Sequence, residues 1–246
     1  MIHAMCYISH CNHELYLLEL TNMETGKLHI VATPIGNLGD ITLRALETLK
    51  TVDFVLCEDT RVTQVLLNHF GIKTRTISYH QHSEAAKVRQ ISELLESGKN
   101  LALVTDAGTP GISDPGNRLI EQLIINNYQL IITPIPGPSA LIAALSICGF
   151  PTDRFLFLGF PPHKKGRQTF FNELATLEHT IVFYESCHRV AKCIGELARV
   201  LDPARKLCVA REITKKFESV YRGTVAEIVQ QKIHAKGEFV IVIAGE

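Results

Sequence analysis

Ten short apolar runs mark the chain, and helical periodicity fills the intervals between most of them. The first five fall at residues 28–32, 53–57, 74–78, 101–105 and 129–133. Each is rich in Val, Ile or Leu and too short for a helix, so each reads as a strand. Between them apolar residues recur at helical spacing, as in Ile41, Leu43, Leu46 and Leu49. A second helix is predicted over 83–96, with Ser83 placed to cap it and Gly98 to stop it. Strands alternating with helices need crossover connections, which predicts a mostly parallel sheet covered on both faces. The second set lies at 155–158, 180–184, 206–211, 217–221 and 238–243. The interval 211–217 is too short for a crossover, so this sheet is predicted to be mixed, with an antiparallel pair. The expected fold is therefore α/β, with two α/β domains of five strands each and a ligand cleft between them. The division is expected at the proline-rich turn 135–137, giving an N-terminal domain over 27–136 and a C-terminal domain over 137–246. Residues 1–26 fit neither pattern and are expected to form a flexible leader.

The polar punctuation after the strands carries the candidate chemistry. The first strand stops at Thr33-Pro34, since Pro34 cannot continue a central strand. Gly36 and Gly39 permit a tight turn, and Asp40 is placed to cap the helix that follows. A strand that ends in a Gly-bearing turn at a helix N-terminus is where open α/β sheets bind ligands. The turn is not a dinucleotide fingerprint, because only Gly36-x-x-Gly39 is present. Similar loops follow the fourth strand (residues 105–116, TDAGTPGISDPG) and the fifth (134–140, PIPGPSA). Asp106 directly follows the fourth strand, placed either to meet a ligand or to close an Asx-turn.

Composition narrows the class. Of 246 residues, 46% are apolar and 20% charged, as in a globular protein with substantial cores. The longest apolar region, 129–150, is broken by Pro134, Pro136, Gly137 and Pro138, so it reads as strand, turn and helix rather than a membrane span. Seven cysteines without a CxxC pair fit reduced thiols and a cytoplasmic location better than a disulfide framework. Cys6, His10, Cys11 and His13 match no standard zinc spacing, and no metal is expected. Net charge is zero but unevenly spread. Residues 1–149 hold 10 Lys and Arg against 14 Asp and Glu, a balance of −4; residues 150–246 hold 15 against 11, a balance of +4. The second half is the better candidate to meet an anionic polymer.

Seven motifs occur in order between Gly26 and Gly245: TPIGNLGDITLRALE with EDTR, TDAGTPGISDPG, PIPGPSA, FLGFPPHKKGR, FYESCHR, ARE-TK and KGEFVIVIAG. In this combination the chain resembles the ribosomal RNA small subunit methyltransferase I branch of the tetrapyrrole-methylase-like (class III) methyltransferases. The resemblance implies S-adenosylmethionine-dependent 2′-O-methylation of a cytidine ribose in 16S ribosomal RNA, with the small ribosomal subunit as partner and a homodimer as the working form. It implies cofactor contacts from Pro34, Asp106, Gly108, Ile112, Ser113, Ser139, Ala140, Tyr184 and Ala210. Phosphate contacts are expected from Lys164, Lys165 and Arg167 in a basic loop, and from Arg189 and Arg211. Candidates to take the substrate proton are Glu58, Glu185 and Lys215. A small-molecule tetrapyrrole methyltransferase and a non-catalytic cofactor- or RNA-binding module are the alternatives; the TPIGN opening and the basic loop favour RNA. Members of that branch often continue past the last strand with a small basic helical extension, which this sequence, ending at Glu246, does not include. Any RNA contact expected of that extension is therefore in question, whereas the expected cofactor loops do not depend on it.

Overall fold

The computed structural model describes residues 25–79, 85–114, 116–126 and 130–245. The expected leader, the Cys6–His13 group of candidate ligands and the Ser83 cap lie outside those residues. The chain divides into two compact units. One comprises residues through Val31, Leu46–Asp106 and Pro115–Ile135; the other comprises Ala32–Ala45, Ala107–Asp114 and Pro136–Glu246.

The first unit carries strands β1 (Lys27–Val31), β2 (Phe54–Cys57), β3 (Arg75–Ser78), β4 (Leu101–Leu103) and β5 (Ile131–Ile135), in the order β3-β2-β4-β1-β5. All four pairings are parallel, as the intervening helices require. Leu28, Leu56, Leu101 and Leu103 turn one face into a core. Val88, Ile91 and Leu95 of the helix Ala85–Glu96 and Leu119 and Leu123 of the helix Gly116–Asn126 close over it. Two local expectations are corrected. The fifth strand runs two residues later than 129–133 and contains Pro134, which an edge strand tolerates because one of its sides has no partner. Asp40 ends a 3-10 turn (Leu38–Asp40) whose cap is Asn37. The next helix, Leu43–Thr51, begins beyond it, where the Thr42 hydroxyl accepts the Ala45 N–H at 3.1 Å.

The second unit carries β6 (Phe155–Phe157), β7 (Thr180–Ser186), β8 (Lys206–Arg211), β9 (Ser219–Thr224) and β10 (Glu238–Ile243), in the order β6-β7-β10-β8-β9. Only β6–β7 is parallel, and the β8–β9 hairpin is the antiparallel pair predicted from the short interval. Strand β9 starts later than expected because residues 212–218 form a wide turn. The Thr214 N–H donates to Glu218 Oε2 at 2.6 Å there, and the Arg211 guanidinium donates to Phe217 O at 2.9 Å. Alternation along the inner strands fills two cores. Ile181, Phe183, Phe239, Ile241 and Ile243 face one, against helices Arg167–Ala175, Val190–Val200 and Val225–Gln230. Val182, Cys208, Ala210, Val240 and Val242 face the other, against the helix Ala140–Cys148. Among the described residues no helix is long and apolar enough to cross a membrane.

Candidate functional site

In the first unit, β2 and β4 are neighbours, so the turns at their C-terminal ends meet. The Asp59 N–H donates to Asp106 Oδ1 at 3.4 Å. Asp106 and Glu58 are both exposed there. Asp59 caps the helix Thr60–His69 by accepting the Arg61 N–H at 2.8 Å, and it also holds the Arg61 guanidinium at 2.7 Å. The Arg61 hydrogen bonds pull the Asp59 carboxyl down to about 2. This end of the parallel sheet is lined by acids.

In the second unit, the loops expected around a cofactor are joined to one another. Thr33 and Gly108 exchange both backbone hydrogen bonds, at 2.9 and 3.0 Å. Gly108 sits at φ 86°, a left-handed conformation that disfavours any side chain. Its amide and carbonyl both serve this bridge, so Gly108 shapes the loop. Thr109 Oγ1 donates to Pro138 O at 3.2 Å, and Ile35 packs into the core beneath the helix Ala140–Cys148. Ser113 also adopts a left-handed conformation, φ 59°, which is costly for a serine and is found at ligand clamps. Its hydroxyl lies within 3.3 Å of the place a Cβ would take on Gly159. Beside it Ile112 is 46% exposed.

Tyr184 ends up where the sequence could not place it. Ser139 occupies the cap position of the helix Ala140–Cys148 but makes no capping bond. The Tyr184 hydroxyl lies close to the Leu141 backbone, which partly offsets the rise in its pKa that burial causes. Phe157 and Phe160 flank the Tyr184 ring at centroid distances of 5.1 and 5.3 Å. Phe160 was not anticipated; it is 51% exposed, and only the GFPP turn signalled that something follows the strand. Pro34 and Ala210 are buried, and Ala210 pairs with strands on both sides. Both are low in exposure, so any contact they make with a cofactor is through little surface.

The charged residues require larger corrections. Arg167 was expected in the exposed basic loop but is 4% exposed. Its guanidinium binds Glu185 at 3.0 Å, Glu196 at 2.8 Å and the Pro162 carbonyl at 3.1 Å. Arg189 binds Glu185 at 3.0 Å and the Pro161 carbonyl at 3.3 Å. Glu185, a candidate to take the substrate proton, is 1% exposed and committed to two arginines, so it is a structural anchor. Arg211 is held at the base of the β8–β9 turn by the Lys236 and Phe217 carbonyls. Lys164 and Lys165 are exposed as expected.

Lys215 is corrected too. Its stem lies against Gly36, where any Cβ would overlap it, and its ammonium binds Glu212 at 2.9 Å and Glu238 at 2.8 Å. Burial opposes the charge, but the two carboxylates outweigh it and raise the pKa above the usual lysine value. The amine stays protonated near neutral pH and is no base.

A family model for Tetrapyrrole (Corrin/Porphyrin) Methylases matches residues 27–229. Two proteins called Ribosomal RNA small subunit methyltransferase I align across most of the chain. The one from Xylella fastidiosa is 48% identical over 225 residues, covering 89% of this chain and 82% of that protein. The one from Synechocystis is 49% identical over 223 residues, covering 89% and 79%. The chain belongs to the tetrapyrrole methylase family, on the branch of these two relatives. A solved diphthine synthase shares the methylase fold at a TM-score of 0.68 and 14% identity, covering 89% of this chain and 90% of that one. The methylase loops suit S-adenosylmethionine by their donor set. Within the second unit, Ile112 and the Tyr184 ring offer apolar surface for a flat base, with Ser113 and Ser139 as hydroxyl partners. Within the first, Asp106 offers a carboxylate for a ribose, an amino group or a sulfonium.

Proposed function

We propose that the chain is an S-adenosylmethionine-dependent methyltransferase of small-subunit ribosomal RNA, with a cytidine 2′-hydroxyl as the acceptor. The observation that carries this reading is 48% identity to a ribosomal RNA small subunit methyltransferase I across 82% of that protein. The second half's exposed lysines support it.

The cofactor supplies an electrophilic methyl group on a sulfonium. The ribose oxygen displaces the sulfur in line, so the acceptor must be held behind the methyl carbon, and such positioning alone reaches about 7–11 kcal/mol in the best intramolecular cases. Ile112, Ser113, Ser139 and Tyr184 are proposed to hold the nucleoside end, and Asp106 to hydrogen-bond it. Lys164 and Lys165 are proposed to bind phosphates of the RNA. As the new C–O bond forms, the hydroxyl proton must leave. Glu58, exposed beside Asp106, is the remaining candidate to receive it, because Glu185 is buried and Lys215 is held protonated.

The decisive experiment supplies S-adenosylmethionine labelled on the methyl group with small ribosomal subunits from a strain lacking this methylation. Label in the RNA at an alkali-resistant linkage is expected, because 2′-O-methylation removes the hydroxyl that alkaline cleavage needs. Label reaching only a tetrapyrrole acceptor would overturn the proposal. A homodimer is proposed as well, since Leu43 is 86% exposed and Val65 66%, apolar surface that a second copy would cover. A monomer mass at every concentration by light scattering would refute it.

A further inference from the structure

We infer that Phe160 is the platform on which an unpaired base of the substrate stacks, and that the Arg167–Glu185–Arg189 group exists to hold that platform rigid. The inference deepens the RNA-methyltransferase reading and rests on it.

Strand β6 stays in register with β7 beyond its last residue. The Leu158 N–H donates to Val182 O at 3.0 Å, and the Tyr184 N–H donates to Gly159 O at 2.8 Å. Phe160 is the next residue and leaves the sheet 51% exposed. The ring is not loose. It leans on Tyr184 at 5.3 Å with a 55° tilt, and Tyr184 is itself held by Phe157 and by the core that includes Leu141.

The backbone after Phe160 is pinned with equal care. The Pro161 carbonyl accepts from Arg189 and the Pro162 carbonyl from Arg167. Both guanidiniums are locked on Glu185, whose side chain is fully sheltered from solvent. Two prolines restrict the backbone further. Immediately beyond them His163, Lys164 and Lys165 are exposed. A rigid exposed ring followed within five residues by cations is the composition that grips single-stranded nucleic acid: the ring takes a base, the cations take its phosphates. The buried arginines are positioning residues in this scheme, since they touch loop carbonyls and never the RNA. An exposed phenylalanine standing alone on a surface would need no explanation. One held by sheet hydrogen bonds before it and by ion-paired arginines on the carbonyls after it, then followed by lysines, points to a partner with a flat face and negative charge.

The test compares Phe160→Ala, Phe160→Leu and Phe160→Trp with the unmodified protein. Binding of a fluorescent single-stranded RNA oligonucleotide and the KM for small ribosomal subunits are read alongside calorimetric affinity for S-adenosylmethionine. Alanine and leucine are expected to weaken RNA binding roughly 5- to 150-fold, the range for loss of one base–aromatic stack. Tryptophan is expected to restore it, and cofactor affinity should stay unchanged in all three. Leucine binding RNA as well as phenylalanine would overturn the inference, since the ring would then be only an apolar cover. A parallel loss of cofactor affinity would also overturn it, by assigning the ring to the cofactor. Oligonucleotide binding that depends on Phe160 in a protein that transfers no methyl to subunits would uphold the platform and sink the proposed reaction. Methyl transfer indifferent to Phe160 would do the reverse. Arg167→Lys, which keeps the charge but cannot span both Glu185 and Pro162, should raise KM for subunits with little change in kcat. An unchanged KM would remove the positioning role.

Discussion

Two strands end in nearly the same words and fold to opposite ends. After β2 the chain reads Glu58-Asp59-Thr60-Arg61; after the middle of β7 it reads Glu185-Ser186-Cys187-His188-Arg189. In the first, Asp59 and Arg61 pair at 2.7 Å with the arginine side chain 89% exposed. In the second, Glu185 and Arg189 pair at 3.0 Å with exposures of 0% and 16%, and Arg167 joins from 18 residues upstream. Water decides what each pair is for. An exposed pair is screened and contributes little, whereas a buried charge is tolerable only while its partners remain. The acidic turn of the first sheet is thus open to a ligand, and the acid of the second is part of the frame.

The largest effect is expected from breaking the buried set. Arg167→Ala would leave Glu185 with one arginine and Glu196 without its main partner, and should cost about 3–5 kcal/mol in urea unfolding. Replacing Arg167, Glu185 and Glu196 together by apolar residues of similar volume should recover much of that loss, because no sheltered carboxylate is then left without its arginine. Equal midpoints for Arg167→Ala and Arg61→Ala would abolish the contrast between the two turns.

Asp106→Ala probes the exposed side. The carboxylate faces water and its bond from the Asp59 N–H is long, so unfolding should change little. Cofactor affinity should fall about 10- to 150-fold, the loss of a hydrogen bond to a charged group of about 1.5–3 kcal/mol. A folded variant with full affinity in calorimetry would remove Asp106 from the site.

What the sequence disclosed follows the same division between exposed and buried charge. Strands were legible because Val, Ile and Leu runs alternate with helices, and the parallel and mixed sheets followed from connection lengths. The Gly and Pro turns were legible because backbone conformation is written locally. Arg167 was misread because its burial depends on Glu185 and Glu196, 18 and 29 residues away, and no local pattern distinguishes it from Lys164 and Lys165. The packing of Tyr184 against Leu141's core was invisible for the same reason, since Leu141 lies on an element 43 residues earlier.

A smaller effect is expected from the lysines that do reach water. Replacing Lys164 and Lys165 by alanine should lower the log–log salt slope of RNA binding by about 0.7–0.9 for each phosphate no longer neutralised. Cofactor affinity and the unfolding midpoint should not move. An unaltered slope would make the loop a solvated surface and nothing more.

The smallest effect belongs to Asp59, and its sign is informative. Asparagine at this position can still cap the helix, since its side-chain oxygen accepts the same N–H, but it carries no charge for Arg61. The Asp59 carboxyl lies at about 2 when folded against an ordinary 3.8. A carboxylate with a depressed folded pKa adds stability that is fully present above its ordinary value and disappears as pH falls through the folded one. Any advantage of the native residue over Asp59→Asn should therefore be constant from neutral pH down to about 4 and vanish toward pH 2. Because Arg61 is 89% exposed and free to be solvated, that advantage should be small and should shrink further at high salt. Thermal unfolding of the two proteins from pH 7 to 2, at low and high ionic strength, measures it. A difference as large as that of Arg167→Ala, or one that survives both acid and salt, would mean that Asp59 is held like Glu185, and the contrast between the two turns would fail from the other side.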